Sequence, residues 1–150
     1  MERRGPGVEG AAIEAFENRL GHRLPDDYRR FILEVNGGIL DDSCRQFSHG
    51  VVTQLFGIGE ENEDGDLEDA NRWFHVSPSR ELLYAGHDSS GTNILVALVG
   101  EHRGQVWIQD TADPRPDGSN PRVSWHDRRD MEKVADSFSE FLGQLKPLSR

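Results

Sequence analysis

GHRLPDDYRRFILEVNGG, residues 21–38, decides how the rest of the chain is read. It holds one complete helix with its start and stop signals. Pro25 suits the first helical position, where a missing N–H costs nothing. Asp26 and Asp27 then fall in the first turn, where the positive end of the helix dipole favours carboxylates. Tyr28, Phe31, Ile32 and Val35 recur at i, i+3, i+4 and i+7 and share one apolar face. Arg29, Arg30 and Glu34 fall largely on the other. Asn36-Gly37-Gly38 stops the helix, because these residue types accept a positive φ at the C-cap.

Upstream, Ile13, Phe16, Glu17 and Leu20 keep helical spacing in a segment that begins at Val8 or Glu9 and closes at Gly21. The two helices form a short N-terminal pair, and residues 1–7, MERRGPG, read as a loose terminus. Downstream, Val51–Ile58 is rich in β-branched and apolar residues and predicts a strand, with Gly57 marking a bulge or a close backbone approach. A short helix is expected through Ala70, Trp73 and Phe74, capped by Asp66. Leu82–Ala85 predicts a short strand, and His87–Gly91 a turn. Asn93–Val99 is almost continuously apolar and predicts a central strand. Gly100–Gly104 connects it to an alternating partner, Gln105–Gln109. Residues 110–122 read as loop, since Pro114, Pro116, Gly118 and Pro121 disrupt regular pairing. Val123–His126 is a candidate edge strand. Met131, Val134, Ala135, Phe138, Phe141, Leu142 and Leu145 lie on one helical stripe, with Asp130 as N-cap and Pro147 just past the end. The expected fold is therefore a single α+β domain, residues 8–146, with a tail at 147–150. A mostly antiparallel sheet is flanked by the N-terminal helical pair, one short middle helix and a C-terminal helix.

Leu20-Gly21, then Leu24-Pro25-Asp26-Asp27-Tyr28, the aromatic–aliphatic helix and Asn36-Gly37-Gly38 together resemble the opening signature of the SUKH superfamily. The resemblance runs from about Val8 to about Leu145. It is closest over Leu20–Gly38 and looser over Leu82–Gln109, where the meander resembles the antiparallel sheet of that superfamily. It implies a protein-binding domain. The superfamily takes its name partly from a fungal cell-wall-synthesis regulator, and its bacterial members are mostly regarded as immunity proteins that neutralise polymorphic toxins. The matched residues Leu24, Pro25, Tyr28, Asn36 and Gly37 read as structural.

Composition narrows the partners. The chain of 150 residues carries 17 basic and 27 acidic side chains, a net charge of −10. Such a chain repels nucleic acid and anionic membrane and attracts basic partners. One cysteine, Cys44, allows no internal disulfide, so the cytoplasm is the expected compartment. No signal segment opens the chain, and no apolar run approaches membrane-spanning length.

Six histidines (His22, His49, His75, His87, His102 and His126) invite a metal reading, yet none pairs with another at i+4 and no Cys–His spacing suits zinc. No metal or cofactor is expected. Ser89 and Ser90 beside His87 and Asp88 superficially suggest a hydrolase, but there is no Gly-x-Ser-x-Gly elbow. Asp88 and Ser89 are more simply turn residues satisfying backbone amides. No catalytic residue is assigned.

The densest chemistry is Glu60–Asp69, EENEDGDLED, in which seven of ten residues are acidic. Glu60, Glu61, Glu63, Asp64 and Asp66, with Trp73 beside them as an aromatic anchor, are the expected partner-binding residues. An acidic surface can occupy the cationic groove of a nuclease toxin in place of phosphate and steer its approach. Exposed charge pairs are worth roughly 0–1 kcal/mol each, whereas nanomolar binding needs about 12 kcal/mol. Apolar contacts must therefore supply much of the affinity, and Trp73, Phe74, Trp107 and Trp125 are the candidates. The function expected is that of a non-enzymatic immunity protein binding a basic cognate toxin. Two alternatives stand beside it: a regulatory interaction module of the same fold, and a small hydrolase using His87 or His126.

Overall fold

The computed structural model describes residues 3–4, 8–39, 46–47, 50–59, 66–72, 81–88, 92–110 and 131–145. In chain order the elements are β1 (Arg3–Arg4), α1 (Gly10–Leu20), α2 (Asp26–Glu34), β2 (Gly38–Ile39), β3 (Gln46–Phe47), β4 (Gly50–Leu55) and α3 (Leu67–Arg72). There follow β5 (Leu82–Asp88), β6 (Thr92–Ala97), a single 3-10 turn at Gly100–His102, β7 (Val106–Asp110), β8 (Met131–Ala135) and α4 (Phe138–Gln144). The sheet runs β1-β2-β4-β5-β6-β7-β8, with β3 also pairing β4, and every named strand pair is antiparallel. The fold is thus the single α+β domain expected. Arg3–Arg4, inside the segment read as a loose terminus, pairs with the otherwise open edge of β2.

One face of the sheet carries the helices. Leu83, Ala85, Ile94, Val96, Val106, Ile108 and Ala135 point to it and merge with Ile13, Phe16, Tyr28, Ile32, Phe138 and Phe141 in one core. Tyr28 sits edge-on to Phe138, with ring centroids 4.8 Å apart, and Phe31 lies 5.0 Å from the same ring. Aromatic edge contacts of this kind add to the burial of the rings themselves. The opposite face carries a second apolar cluster of Leu82, Leu95, Ala97, Trp107 and Met131.

The polar contacts between these elements explain why the turns sit where they do. The Glu17 carboxylate accepts the Leu24 N–H at 2.6 Å and faces the Arg29 guanidinium at 3.8 Å, which joins α1 to α2. Arg103 donates to the carbonyls of Arg23, Leu24 and Leu98 and ties the inter-helix turn to the end of β6. Asp27 accepts the Tyr28 N–H and, through its other oxygen, the Ser139 N–H of α4 at 2.9 Å. The first turn of α2 thereby caps a helix more than a hundred residues away, at the end where its dipole favours a carboxylate.

Three expectations need correction. Pro25 is the N-cap residue of α2, with ψ 145°, one position before the first helical residue. Met131–Leu145 is not one helix. Met131–Ala135 pairs with β7, Asp136-Ser137 bends, and only Phe138–Gln144 is helical. The stripe at 131, 134, 135 and 138 fits a helix, but the edge of β7 offers unpaired backbone groups, and tertiary pairing overrides local propensity. Ser137 caps the shortened helix by accepting the Glu140 N–H at 3.0 Å. Strand β5 also runs past the predicted Ala85 to Asp88, so His87 and Asp88 are strand residues.

Candidate partner-binding site

The described residues on either side of 60–65 are pinned. At the end of α2, Asn36 adopts φ 54° and turns its side chain onto Ile58. Its amide donates to the Ile58 carbonyl at 2.9 Å and accepts the Ile58 N–H at 2.7 Å, as a neighbouring strand would. Gly37, at φ 79°, lies against the same segment. A Cβ there would stand 2.6 Å from the Phe56 carbonyl carbon and 2.7 Å from the Gly57 nitrogen, which only glycine avoids. Gly57 in turn bridges Asp66, and the Leu67 N–H donates to the Gly57 carbonyl at 2.6 Å. The close approach expected at Gly57 is therefore real on both sides.

Asp66 caps α3 as expected: its Oδ1 accepts the Glu68 N–H at 3.0 Å, and its carbonyl accepts the Ala70 N–H. Glu68 pairs with Arg19 of α1, and this hydrogen bond, ahead of the desolvation that opposes it, raises the arginine pKa. The last turn of α3 is fastened by Asn71. Its amide nitrogen donates to the Leu67 and Tyr84 carbonyls, and its oxygen accepts the Tyr84 N–H at 2.7 Å. It fills the place beside β5 that β4 vacates after Phe56. Glu60, Glu61, Glu63, Asp64 and Trp73 lie outside the described residues, as do Phe74, Trp125, Cys44, His49, His75 and His126.

Of the aromatic anchors considered, Trp107 is placed and is buried at 8% exposure. Its indole N–H donates to Gln105 at 3.0 Å, and its ring lies edge-on to His102. It forms the floor of the second sheet face and is not a surface anchor. His87 and Asp88 do not converge. They are consecutive strand residues, and side chains alternate faces along a strand. Asp88 accepts the Thr92 N–H at 2.8 Å, the turn role expected of it. Among the described residues no group of three or more His, Cys, Asp or Glu side chains is placed to hold a metal ion.

The register also assembles a set of side chains that sequence reading left scattered. Gln54 pairs with His87, His87 with Asn93, and Asn93 with Gln109. Directly opposed residues share a face, so four polar side chains form one row across β4, β5, β6 and β7. Adjacent strands are about 4.8 Å apart, so the row spans about 14 Å. It lies on the face away from the helices, beside Leu95, Trp107 and Met131. Each member is half-buried. His87 Nε2 meets Gln54 Oε1 at 3.1 Å, and the Asn93 amide donates to Gln109 Oε1 at 3.1 Å. Phe56 contacts His87 and stands edge-on to Tyr84 at 4.9 Å, so it links the row to the clamp at Gly57. Burial raises the Tyr84 pKa and keeps its phenol neutral. The signal available beforehand was Asn93 heading the most apolar run, since asparagine is disfavoured in strands.

No helix among the described residues is long and apolar enough to cross a membrane. A search of curated proteins gave no match to the chain. The model of one family does match, over residues 7–144. That span takes in both N-terminal helices with their Asn-Gly-Gly stop, the whole meander and α4, and the chain accordingly belongs to the SMI1 / KNR4 family (SUKH-1).

Proposed function

We propose that this chain is a non-enzymatic immunity protein that neutralises a cognate toxin domain of basic surface charge by binding it directly. The observation that carries this is the acidic run of seven carboxylates in ten residues, within a chain of net charge −10. Its base is pinned at Asn36–Ile58 and Gly57–Asp66. Family membership supports a protein-binding role. Glu60, Glu61, Glu63, Asp64 and Asp66, with Trp73 beside them, form the recognition segment. Asp66 also caps α3, so its carboxylate holds the segment in place as well as contributing charge. An acidic segment raises the rate of encounter with a cationic nucleic-acid groove and disfavours acidic competitors.

The test is co-expression with the toxin domain encoded beside this gene, scoring survival and co-purification, then measuring affinity at rising salt. Protection with a complex weakened by salt is expected. The Glu60/Glu61/Glu63/Asp64→Lys variant should lose protection while remaining folded, chiefly through a slower association rate. Full protection by that variant removes the role given to the loop. No neighbouring toxin and no complex would favour the regulatory-module alternative.

A further inference from the structure

We propose that the outer edge of β2 is a strand-addition site for an extended, basic segment of the protein partner, and that the chain's own Arg3–Arg4 occupies it in the free protein as a competitor. The inference rests on the protein-binding reading and adds a second surface to it. β1 pairs antiparallel with β2, Arg3 opposite Ile39 and Arg4 opposite Gly38, and the other side of β2 is taken by β4. The occupant shows what the edge accepts: extended backbone in antiparallel register, here of two arginines in a chain of net charge −10. Adding a strand to a sheet edge is a general mode of peptide recognition, in which main-chain hydrogen bonds supply the affinity.

The simplest alternative is that β1 is a permanent cover, since an open edge invites pairing with other chains. The contrast between the two strands argues otherwise. β2 is fixed: Gly38 pairs with Leu55 and Ile39 with Gln54, and the preceding Asn36 is bonded to both backbone groups of Ile58. Gly38 is buried and holds φ 128°, which side chains rarely adopt, so a segment opposite it meets bare backbone. β1 is two residues long and pairs with β2 alone among the described residues. Its few backbone bonds must offset the entropy of ordering the residues that make them, so its hold is near balance. A rigid edge with a weakly held occupant favours exchange for a longer strand. A site covered for about nine-tenths of the time binds its partner about tenfold more weakly than the open site.

The experiment uses the full chain with the toxin domain encoded beside its gene. Arg3→Pro with Arg4→Pro removes both N–H donors of β1 and opens the edge. Arg3→Cys with Ile39→Cys, in a Cys44→Ser chain, joins a directly opposed pair whose Cα spacing suits a disulfide and locks β1 in place. The opened chain should bind the toxin domain about tenfold more tightly than wild type. The locked chain should bind at least about tenfold more weakly, and reduction should restore it. Affinity at or below wild type in the opened chain, or wild-type affinity in the locked one, overturns the proposal and leaves the immunity reading standing. Should the opened chain fail to fold, the locked chain decides, oxidised against reduced. A wild-type chain that binds no such toxin removes the immunity reading, and a peptide of residues 1–7, MERRGPG, then tests the edge by itself. At millimolar concentration it should move the Gly38 and Ile39 amide resonances of the opened chain, and the same peptide with both arginines replaced by glutamate should not. Resonances left in place by the arginine peptide overturn the site.

Discussion

Asn36 offers the sharpest test of how this fold is closed. Its side chain supplies both partners of the Ile58 backbone, at 2.9 and 2.7 Å, inside the protein. Asn36→Ala leaves that N–H and C=O without their partners, and a buried polar group stripped of its partner costs about 1–3 kcal/mol. Alanine at φ 54° adds about 1 kcal/mol of backbone strain. With two such groups the expected loss is about 3–7 kcal/mol, a large part of the roughly 5–15 kcal/mol available to a domain. Asn36→Gly removes the strain and keeps the two orphaned groups, so it should sit about 1 kcal/mol above the alanine variant. Asn36→Asp keeps an acceptor for the Ile58 N–H but offers its carbonyl only another acceptor. It too should fall well below wild type. Urea unfolding with an unchanged m-value reads these differences directly. If Asn36→Gly matches wild type, the residue serves only its positive φ, and the strand-like role assigned to its amide is wrong. If Asn36→Ala lies within 0.5 kcal/mol of wild type, the site fills with water and the clamp does not exist.

Tyr28 is buried to 1% exposure with a hydroxyl that has no hydrogen-bond partner, and burial raises its pKa above the ordinary 10.0. The folded state favours the neutral phenol, so this contribution is whole below pH 10 and is lost as pH rises further. Tyr28→Phe should be neutral or stabilising by up to about 1 kcal/mol at pH 7, and should flatten the alkaline fall in urea midpoint. Asp27→Ala and Ser137→Ala remove acceptors from two different N–H groups of α4, Ser139 and Glu140. Each should cost about 1 kcal/mol in urea unfolding and the double variant about 2, whereas a double no worse than either single would show one shared cap.

The parts of the fold legible in the sequence are those whose causes lie within a few residues. The helical spacing of Tyr28, Phe31 and Ile32 was enough to bury that face, and Gly21 and Asn36-Gly37 end their helices where expected. Asp66 caps α3 for the same local reason. What was not legible depends on partners far along the chain. Met131–Ala135 satisfies helical spacing and is a strand, because the waiting edge of β7 is invisible from its own residues. Asp27 reads as a first-turn carboxylate and is also the cap of α4. The polar row requires three strand registers at once, including the irregularities between Val52 and Gln54 and between Tyr84 and Gly86. A shift of one residue in any of them would send its members to opposite faces.

The asparagines of this domain separate polarity that the backbone requires from polarity that it does not. Asn71 pairs its amide with the Tyr84 backbone groups that a departing strand left open, and its nitrogen also donates to the Leu67 carbonyl one turn back in α3. Asn36 does the same for Ile58. Both are buried, and both are fully explained by the backbone they complete. Asn93 differs on each count. It is half-exposed, its backbone is already paired on both sides by β5 and β7, and its only hydrogen bond runs to another side chain. The same comparison places Gln54 with Asn93 and sets Asn36 and Asn71 apart. Substitutions of Asn36 and Asn71 should therefore cost stability in urea unfolding, and those of Gln54 and Asn93 should cost little.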